Sequence, residues 1–171
     1  MCSLKNYKDY IEKVDYYNEK DNRELNYQNR IIIPFLENLF QGEKAISIVD
    51  VSTQYKNRNS KHHNREPYAN ECTPDLLIAK NWHYYNRENV VGYLAVVEIK
   101  IPNSKDTSQI NKYFKSNEGK VIWTNCLTWR FFVNGEEFLP EVNLKYTNDE
   151  WKEDTSDWNA LITYIKEFIK N

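Results

Sequence analysis

The chain is poor in glycine and cysteine and has no long apolar run, and these absences limit what it can be. Four glycines occur in 171 residues, and no Gly-x-x-x-x-Gly-Lys-Ser/Thr loop is present to couple ATP to movement. Three widely separated cysteines, Cys2, Cys72 and Cys126, argue against a disulfide framework and against zinc, and favour a reduced, cytoplasmic compartment. No run approaches membrane-spanning length, so we expect no membrane association.

The remaining composition is that of an ordinary globular protein. Charged residues make up 28% of the chain and hydrophobic residues 40%, which predicts one domain over residues 1–171 with a substantial core. The formal net charge of -2 argues against a protein that binds polyanions over its whole surface. A nucleic-acid interface would therefore have to be a local patch.

Two short apolar runs, residues 74–78 and 95–100, form the centre of the sequence. Both have the Val, Ile and Leu content of buried strands. The polar segment between them predicts an antiparallel hairpin with its turn at residues 86–87, which places Asp75 opposite Glu98.

Charged residues stand where buried strands should carry none. Alternation along the second run puts Glu98 and Lys100 on one face and Val97, Ile99 and Ile101 on the other. Two carboxylates and one ammonium then converge at one end of the hairpin. Such a group is either a structural ion pair or a site for Mg²⁺, in which the lysine orients or deprotonates a water.

Five motifs in this order resemble those of the PD-(D/E)xK nuclease superfamily. Within it, the chain is similar to the nuclease domain at the N-terminus of type I restriction enzyme R subunits. The likeness spans residues 22–132, with Cys126 where the family commonly has glycine in a turn. The motifs are Glu24, Pro74-Asp75, Glu98-Ile99-Lys100, Gln109-x-x-x-Tyr113 and Val121-Ile122-Trp123-Thr124-Asn125.

The resemblance implies a metal-dependent nuclease. It assigns Mg²⁺, for which Mn²⁺ substitutes, to Asp75, Glu98, the carbonyl of Ile99 and Glu24. Lys100 would activate the attacking water or stabilise the transition state. Gln109 and Tyr113 would shape the site or contact the nucleic-acid backbone. The expected fold is α/β, a restriction-endonuclease-like mixed central sheet flanked by helices in the order α-α-β-β-β-α-β-β-α.

Two of these residues also have purely structural explanations. Glu24 would suit the first turn of a helix, where an acid faces the macrodipole, and Glu37 is a less favoured substitute for it in the site. Gln109 would fit a capping box that begins a helix at Asp106 and runs to about Ser116.

A basic segment precedes the first of the two central runs. Phosphate contacts are expected from its cations and from Lys112, whereas His62 and His63 are interpreted as ordinary surface residues. The cations of this segment are Lys56, Arg58, Lys61 and Arg65.

Hydrophobic periodicity predicts the remaining elements. Residues 4–20 form a helix packed outside the core, and residues 22–40 form a second helix kinked at Pro34, with Leu25 in line with its apolar stripe. Strands are expected over residues 45–54, 119–124 and 128–133. Residues 136–148 are strand or loop, and an amphipathic helix that packs on the sheet begins near residue 156.

The resemblance also sets the expected partners. DNA is favoured over RNA as substrate, in defence or mobile-element biology. The chain would act as a homodimer or with a separate motor or specificity subunit. The alternatives are an endoribonuclease, or an inactive nucleic-acid-binding or interaction module with the same fold.

Overall fold

One sheet flanked by helices makes up the computed structural model, which describes residues 4, 6–52, 73–82, 92–113, 119–144 and 155–170. The strands are β1 Ile46–Asp50, β2 Leu76–Lys80, β3 Gly92–Ile99, β4 Lys120–Thr124, β5 Thr128–Val133 and β6 Glu136–Asn143. The helices are α1 Tyr7–Lys20, α2 Glu24–Tyr27, a π-helical turn Gln28–Ile32, α3 Ile33–Leu39, a 3₁₀ helix Ile110–Lys112 and α4 Thr155–Lys170.

The sheet is mixed and its strands follow chain order, β1 to β6. All neighbouring pairs are antiparallel except β3 and β4, which are parallel. A parallel pair needs a crossover of about a dozen residues or more, and residues 100–119 supply it. The prediction of an α/β fold with a mixed sheet is confirmed.

The register of β2 against β3 agrees with the predicted hairpin. Leu76 pairs with Val97, so Asp75, one residue earlier, lies opposite Glu98 as expected. The pairing shifts by one residue between Ile78 and Ala79. The predicted turn at residues 86–87 lies outside the described residues.

The larger of two hydrophobic clusters lies between the helices and one face of the sheet. Phe35 of α3 is central to it, with its ring 5.3 Å from Tyr10, 5.6 Å from Trp129 and 5.2 Å from Trp158. These rings belong to α1, β5 and α4, so one side chain joins three elements. The expectation that the first helix lies outside the core is wrong, because Tyr10 is fully buried and donates a hydrogen bond of 2.8 Å to the Cys126 carbonyl.

The second predicted helix is present but changes its pitch in the middle. Pro34 has no N–H to bond the preceding turn, and just before it the N–H of Ile33 reaches back five residues to the Gln28 carbonyl. Each π-helical residue turns the chain less than an α-helical one does. The residues before this turn are therefore rotated off the apolar stripe, and Leu25, predicted to lie in line with it, is 56% exposed.

The predicted helix from Asp106 to Ser116 is wrong within the described residues. Asp106 instead forms a local turn, in which its Oδ1 accepts the N–H of Ser108 at 2.9 Å. Its carbonyl accepts the indole N–H of Trp123 at 2.8 Å, so a tertiary bond replaces the one that a helix would make. Only the 3₁₀ helix Ile110–Lys112 follows, and residues 114–118 lie outside the described part of the chain.

The later elements agree with their patterns. The strands predicted near residues 119–124 and 128–133 are β4 and β5, and β6 adds a sixth strand. The amphipathic helix α4 packs on the sheet, with the Phe168 ring 5.4 Å from that of Phe131. None of the helices in the described ranges is long and apolar enough to cross a membrane.

Phe35→Ala tests the central role assigned to Phe35. Removing a ring that is 2% exposed leaves a cavity among three elements, so we expect the free energy of unfolding to fall by about 3–5 kcal/mol in urea titrations. Phe138→Ala is the control: its ring is 52% exposed, and the loss should stay below about 1.5 kcal/mol. Equal losses in the two variants would contradict this view of the core.

Candidate active site

Two strand ends bring the predicted acidic residues together. Asp75 immediately precedes β2, while Glu98 and Lys100 lie at the end of β3. The N–H of Ile99 donates to Asp75 Oδ2 at 2.7 Å, which ties the carboxylate to the neighbouring strand. The N–H of Lys100 donates to the Thr124 carbonyl at 2.8 Å, so the parallel pairing with β4 continues to this point.

Glu98 is the most enclosed member of the group, with its side chain 3% exposed. Its Oε1 accepts a hydrogen bond from the Lys100 ammonium, and its Oε2 accepts one of 2.5 Å from the Tyr113 hydroxyl. Both carboxylate oxygens are therefore bonded, which offsets part of the cost of burying the charge.

Glu24 stands at the start of α2 and approaches the group from the helices. Its Oε2 lies 4.0 Å from the Lys100 ammonium, and its side chain is 43% exposed. The explanation as a first-turn helix acid also fits, because Glu24 is the first residue of α2, and the two roles are compatible. Glu37, the substitute considered from sequence, is exposed on α3.

The four side chains have more negative than positive charge. Three carboxylates face one ammonium, a formal excess of two negative charges. Burial, then the Glu98 charge and more weakly that of Glu24, raises the pKa of Asp75 to about 7, against the opposing effects of the Ile99 N–H and Lys100. Burial also raises the pKa of Glu24, where Lys100 opposes it and Glu98 adds to it.

The same three carboxylates favour the charged form of Lys100. Burial disfavours its charge, but the hydrogen bond and charge of Glu98, followed by the charges of Glu24 and Asp75, outweigh burial and raise its pKa. The side chain is therefore an ammonium at neutral pH. Of the two roles predicted for it, stabilising developing negative charge suits this state better than accepting a proton from water.

The oxygen donors here suit a hard divalent cation. No three His, Cys, Asp or Glu side chains within residues 4, 6–52, 73–82, 92–113, 119–144 and 155–170 are grouped closely enough to hold a metal. Mg²⁺, however, is commonly bound through one or two carboxylates and keeps several waters. Asp75, Glu98 and the Ile99 carbonyl fit that pattern, provided that the metal shares the Glu98 carboxylate with Lys100 and Tyr113.

Gln109 and Tyr113 both contribute to the site, as their spacing predicts. The Tyr113 oxygen lies 3.1 Å from the Gln109 side-chain oxygen as well as 2.5 Å from Glu98. A phenol has one proton, and the shorter, charged contact takes it. Gln109 is then satisfied when its amide nitrogen faces the phenol oxygen. The capping-box explanation of Gln109 is wrong, because the Asp106 N–H that its side chain would have to bond donates to the Ser104 hydroxyl at 3.3 Å.

Of the five predicted phosphate-binding residues, one lies within the described part of the chain. Lys112 lies exposed on the 3₁₀ helix. The other four (Lys56, Arg58, Lys61 and Arg65) and both histidines of that segment lie outside the described residues.

Two side chains of β4 and its turn support the site, although no role was predicted for either of them. The indole of Trp123 holds the Asp106 carbonyl, and Asn125 Nδ2 donates to the Ser104 carbonyl at 2.9 Å. Both fix the segment between Lys100 and Tyr113. Both residues belong to the Val-Ile-Trp-Thr-Asn motif on which the resemblance rests. The motif alone, however, does not predict which backbone groups their side chains bond. Cys126, with φ 72°, adopts a left-handed conformation that glycine takes up more easily than other residues.

Asp75→Asn should remove a pH dependence of stability. The folded-state pKa of about 7 lies above the ordinary value of 3.8, so ionising Asp75 destabilises the fold increasingly as pH rises through this window. In EDTA at pH 8, we expect the variant to be more stable than the wild type by on the order of 1 kcal/mol or more. The difference should vanish towards pH 4.

Urea titrations at several pH values measure this difference. Asp157→Asn, which removes an exposed carboxylate outside the cluster, is the control and should leave the pH profile unchanged. A less stable Asp75→Asn protein at pH 8 would show that the ionised carboxylate stabilises the fold.

No protein-family model matches the chain, and no curated protein or solved structure matches it. The functional argument therefore rests on the geometry of the cluster. Its members come from α2, the start of β2 and the end of β3, and they meet beside the crossover that carries Gln109 and Tyr113.

Proposed function

We propose that the chain is a metal-dependent nuclease of the PD-(D/E)xK type, with a restriction-endonuclease-like fold, that hydrolyses phosphodiester bonds in DNA. The observation that carries the proposal is the excess of carboxylates over cations at two adjoining strand ends. A cluster that only stabilised the fold would match its charges. Here the pKa of Asp75 is raised to about 7, which marks an arrangement unfavourable to stability and typical of functional sites.

Asp75, Glu98 and the Ile99 carbonyl would hold Mg²⁺, or Mn²⁺ in its place, and Glu24 would bind one of the waters of the ion. The bound ion would supply Lewis-acid polarisation of the phosphate and a more acidic water. The residues themselves are prepared for a cation, since the Ile99 N–H fixes Asp75 at 2.7 Å and Tyr113 fixes Glu98 at 2.5 Å. Glu24, at 43% exposure, would contribute from the solvent side.

Lys100 would act on the phosphate. Its ammonium is held against Glu98 and 4.0 Å from Glu24, at the junction of the two strand ends. A fixed positive charge at this point stabilises the negative charge that develops on the phosphate oxygens during attack by water. Because the side chain is only 13% exposed, solvent screens that charge weakly.

The setting of this activity follows from the resemblance. Defence against foreign DNA, with mobile-element biology second, is the proposed role in the cytoplasm. The chain would work as a homodimer or with a separate motor or specificity subunit. DNA contacts would be local, in keeping with the net charge of -2.

Cleavage assays test the proposal. Supercoiled plasmid, single-stranded DNA and RNA are incubated with the protein and Mg²⁺ or Mn²⁺, with EDTA as the blank. Cutting should require the metal, and Lys100→Ala should reduce it by about 100-fold or more because a transition-state contact is lost. Lys44→Ala, which removes an exposed lysine near β1, is the matched control and should cut normally. Cleavage of RNA alone would move the substrate class to ribonucleic acid.

Mn²⁺ should also stabilise the folded protein by mass action. At 100 times its Kd, the ion adds about 2.7 kcal/mol to the free energy of unfolding, which a thermal shift detects without any substrate. Asp75→Asn should abolish the shift, and Asp157→Asn should retain it. A shift without cleavage would indicate an intact site that needs a partner. The absence of both would mean that the cluster is structural, and the nuclease proposal would fall.

A further inference from the structure

A polar cavity of about 550 Å³ opens beside the acidic cluster and has no part in the hydrolysis described above. Its volume lies within the range of about 300–1,000 Å³ typical of ligand sites. The segment that follows Lys100 forms one wall, and β4, β5 and β6 form the other. The lining residues that matter below are Asn103, Lys105, Trp123, Thr128, Arg130 and Asn143.

The cavity is reached from the cluster by crossing two strands. Glu98 pairs with Trp123, and Trp123 pairs with Arg130, so the three residues form one row across β3, β4 and β5. Neighbouring strands lie about 4.8 Å apart, which puts the far end of the row about 10 Å from Glu98. Stacked nucleotides repeat about every 3.4 Å along a strand. A nucleic acid with one phosphate at Lys100 would thus place a nearby nucleotide over the cavity.

The walls of the cavity are fixed by hydrogen bonds. Trp123 holds the Asp106 carbonyl at 2.8 Å, and Asn125 holds the Ser104 carbonyl at 2.9 Å. On the opposite side, the Thr128 hydroxyl donates to Asn143 Oδ1 at 2.8 Å. The cavity is therefore formed before any ligand enters, and little ordering would be needed on binding.

Two polar side chains at the cavity remain available to a ligand. Within the described part of the chain, the exposed side chains of Asn103 and Lys105 make no hydrogen bond or ion pair. Arg130, by contrast, is bonded to Glu137 at 2.6 Å and lies 3.5 Å from Glu141, so its charge is already offset. Glu141 also lines the cavity, but its carboxylate is engaged by Arg130 and accepts a hydrogen bond of 2.7 Å from Asn143. Among the lining residues, Lys105 is the cation left to meet a phosphate.

We propose that this cavity binds one nucleotide of the substrate strand, about three nucleotides away from the phosphate that is cleaved. The inference rests on the proposed nuclease function. The Asn103 amide, which both donates and accepts, would bond the edge of the base, and Lys105 would bond the phosphate. This pairing of an amide with a single cation suits a nucleotide better than a free anion, which has no donors for the amide oxygen to accept from.

Binding of a labelled single-stranded DNA 12-mer in EDTA tests the proposal without cleavage. Asn103→Gly removes only the amide, because glycine accepts the φ of 69° at this position without strain. Lys105→Ala removes the cation, and Lys44→Ala is the matched control outside the cavity. Each cavity variant should weaken binding by about threefold to tenfold. Lys105→Ala alone should also lower the slope of log K against log salt by about one.

The indole N–H resonance of Trp123 gives a second readout, since a base in the cavity should shift it on titration with the same oligonucleotide. The proposal is overturned if both cavity variants bind like Lys44→Ala, or if the resonance does not move at saturation. EDTA separates the two proposals. A protein that binds through the cavity but shows neither cleavage nor a Mn²⁺ thermal shift would reject the hydrolysis and keep the nucleotide site. Normal binding by cavity variants that still cleave would reject only the site.

Discussion

The burial of the Glu98 carboxylate at the end of β3 is the constraint on which the site depends. A charge that is 3% exposed is tolerated because Lys100 and Tyr113 each bond one of its oxygens. Tyr113 is carried by the crossover between two parallel strands, so this bond also holds the described part of that crossover, residues 100–113, against the end of β3.

The arrangement is also poorly balanced in charge, and the imbalance is informative. Glu24 and Asp75 add two carboxylates to a pair that Lys100 alone would have neutralised. Because Asp75 is buried and lies near the other two carboxylates, its pKa is raised to about 7. A divalent cation at this point would restore the balance. In the proposed nuclease, stability and function would therefore place opposite demands on the same few side chains.

Local periodicity was sufficient to predict the centre of the fold. The two apolar runs and the polar segment between them placed Asp75 opposite Glu98, which the pairing of Leu76 with Val97 confirms. Strand alternation put Glu98 and Lys100 together, and their hydrogen bond agrees. These features depend on residues close in sequence or paired across one hairpin, and a period-two pattern records such relations directly.

Features decided by tertiary contacts were not predictable in the same way. The Asp106 segment has a good helix-start pattern, yet its carbonyl is taken by the indole of Trp123, seventeen residues away, and the helix gives way to a short 3₁₀ turn. The polar cavity is built by the same bond together with two further strands, and no spacing in the sequence reports it. The Trp123 side chain thus both takes the carbonyl that a helix at Asp106 would use and lines the polar cavity. In the proposed nuclease, the described part of the crossover after Lys100, residues 101–113, would therefore belong to the substrate-binding surface.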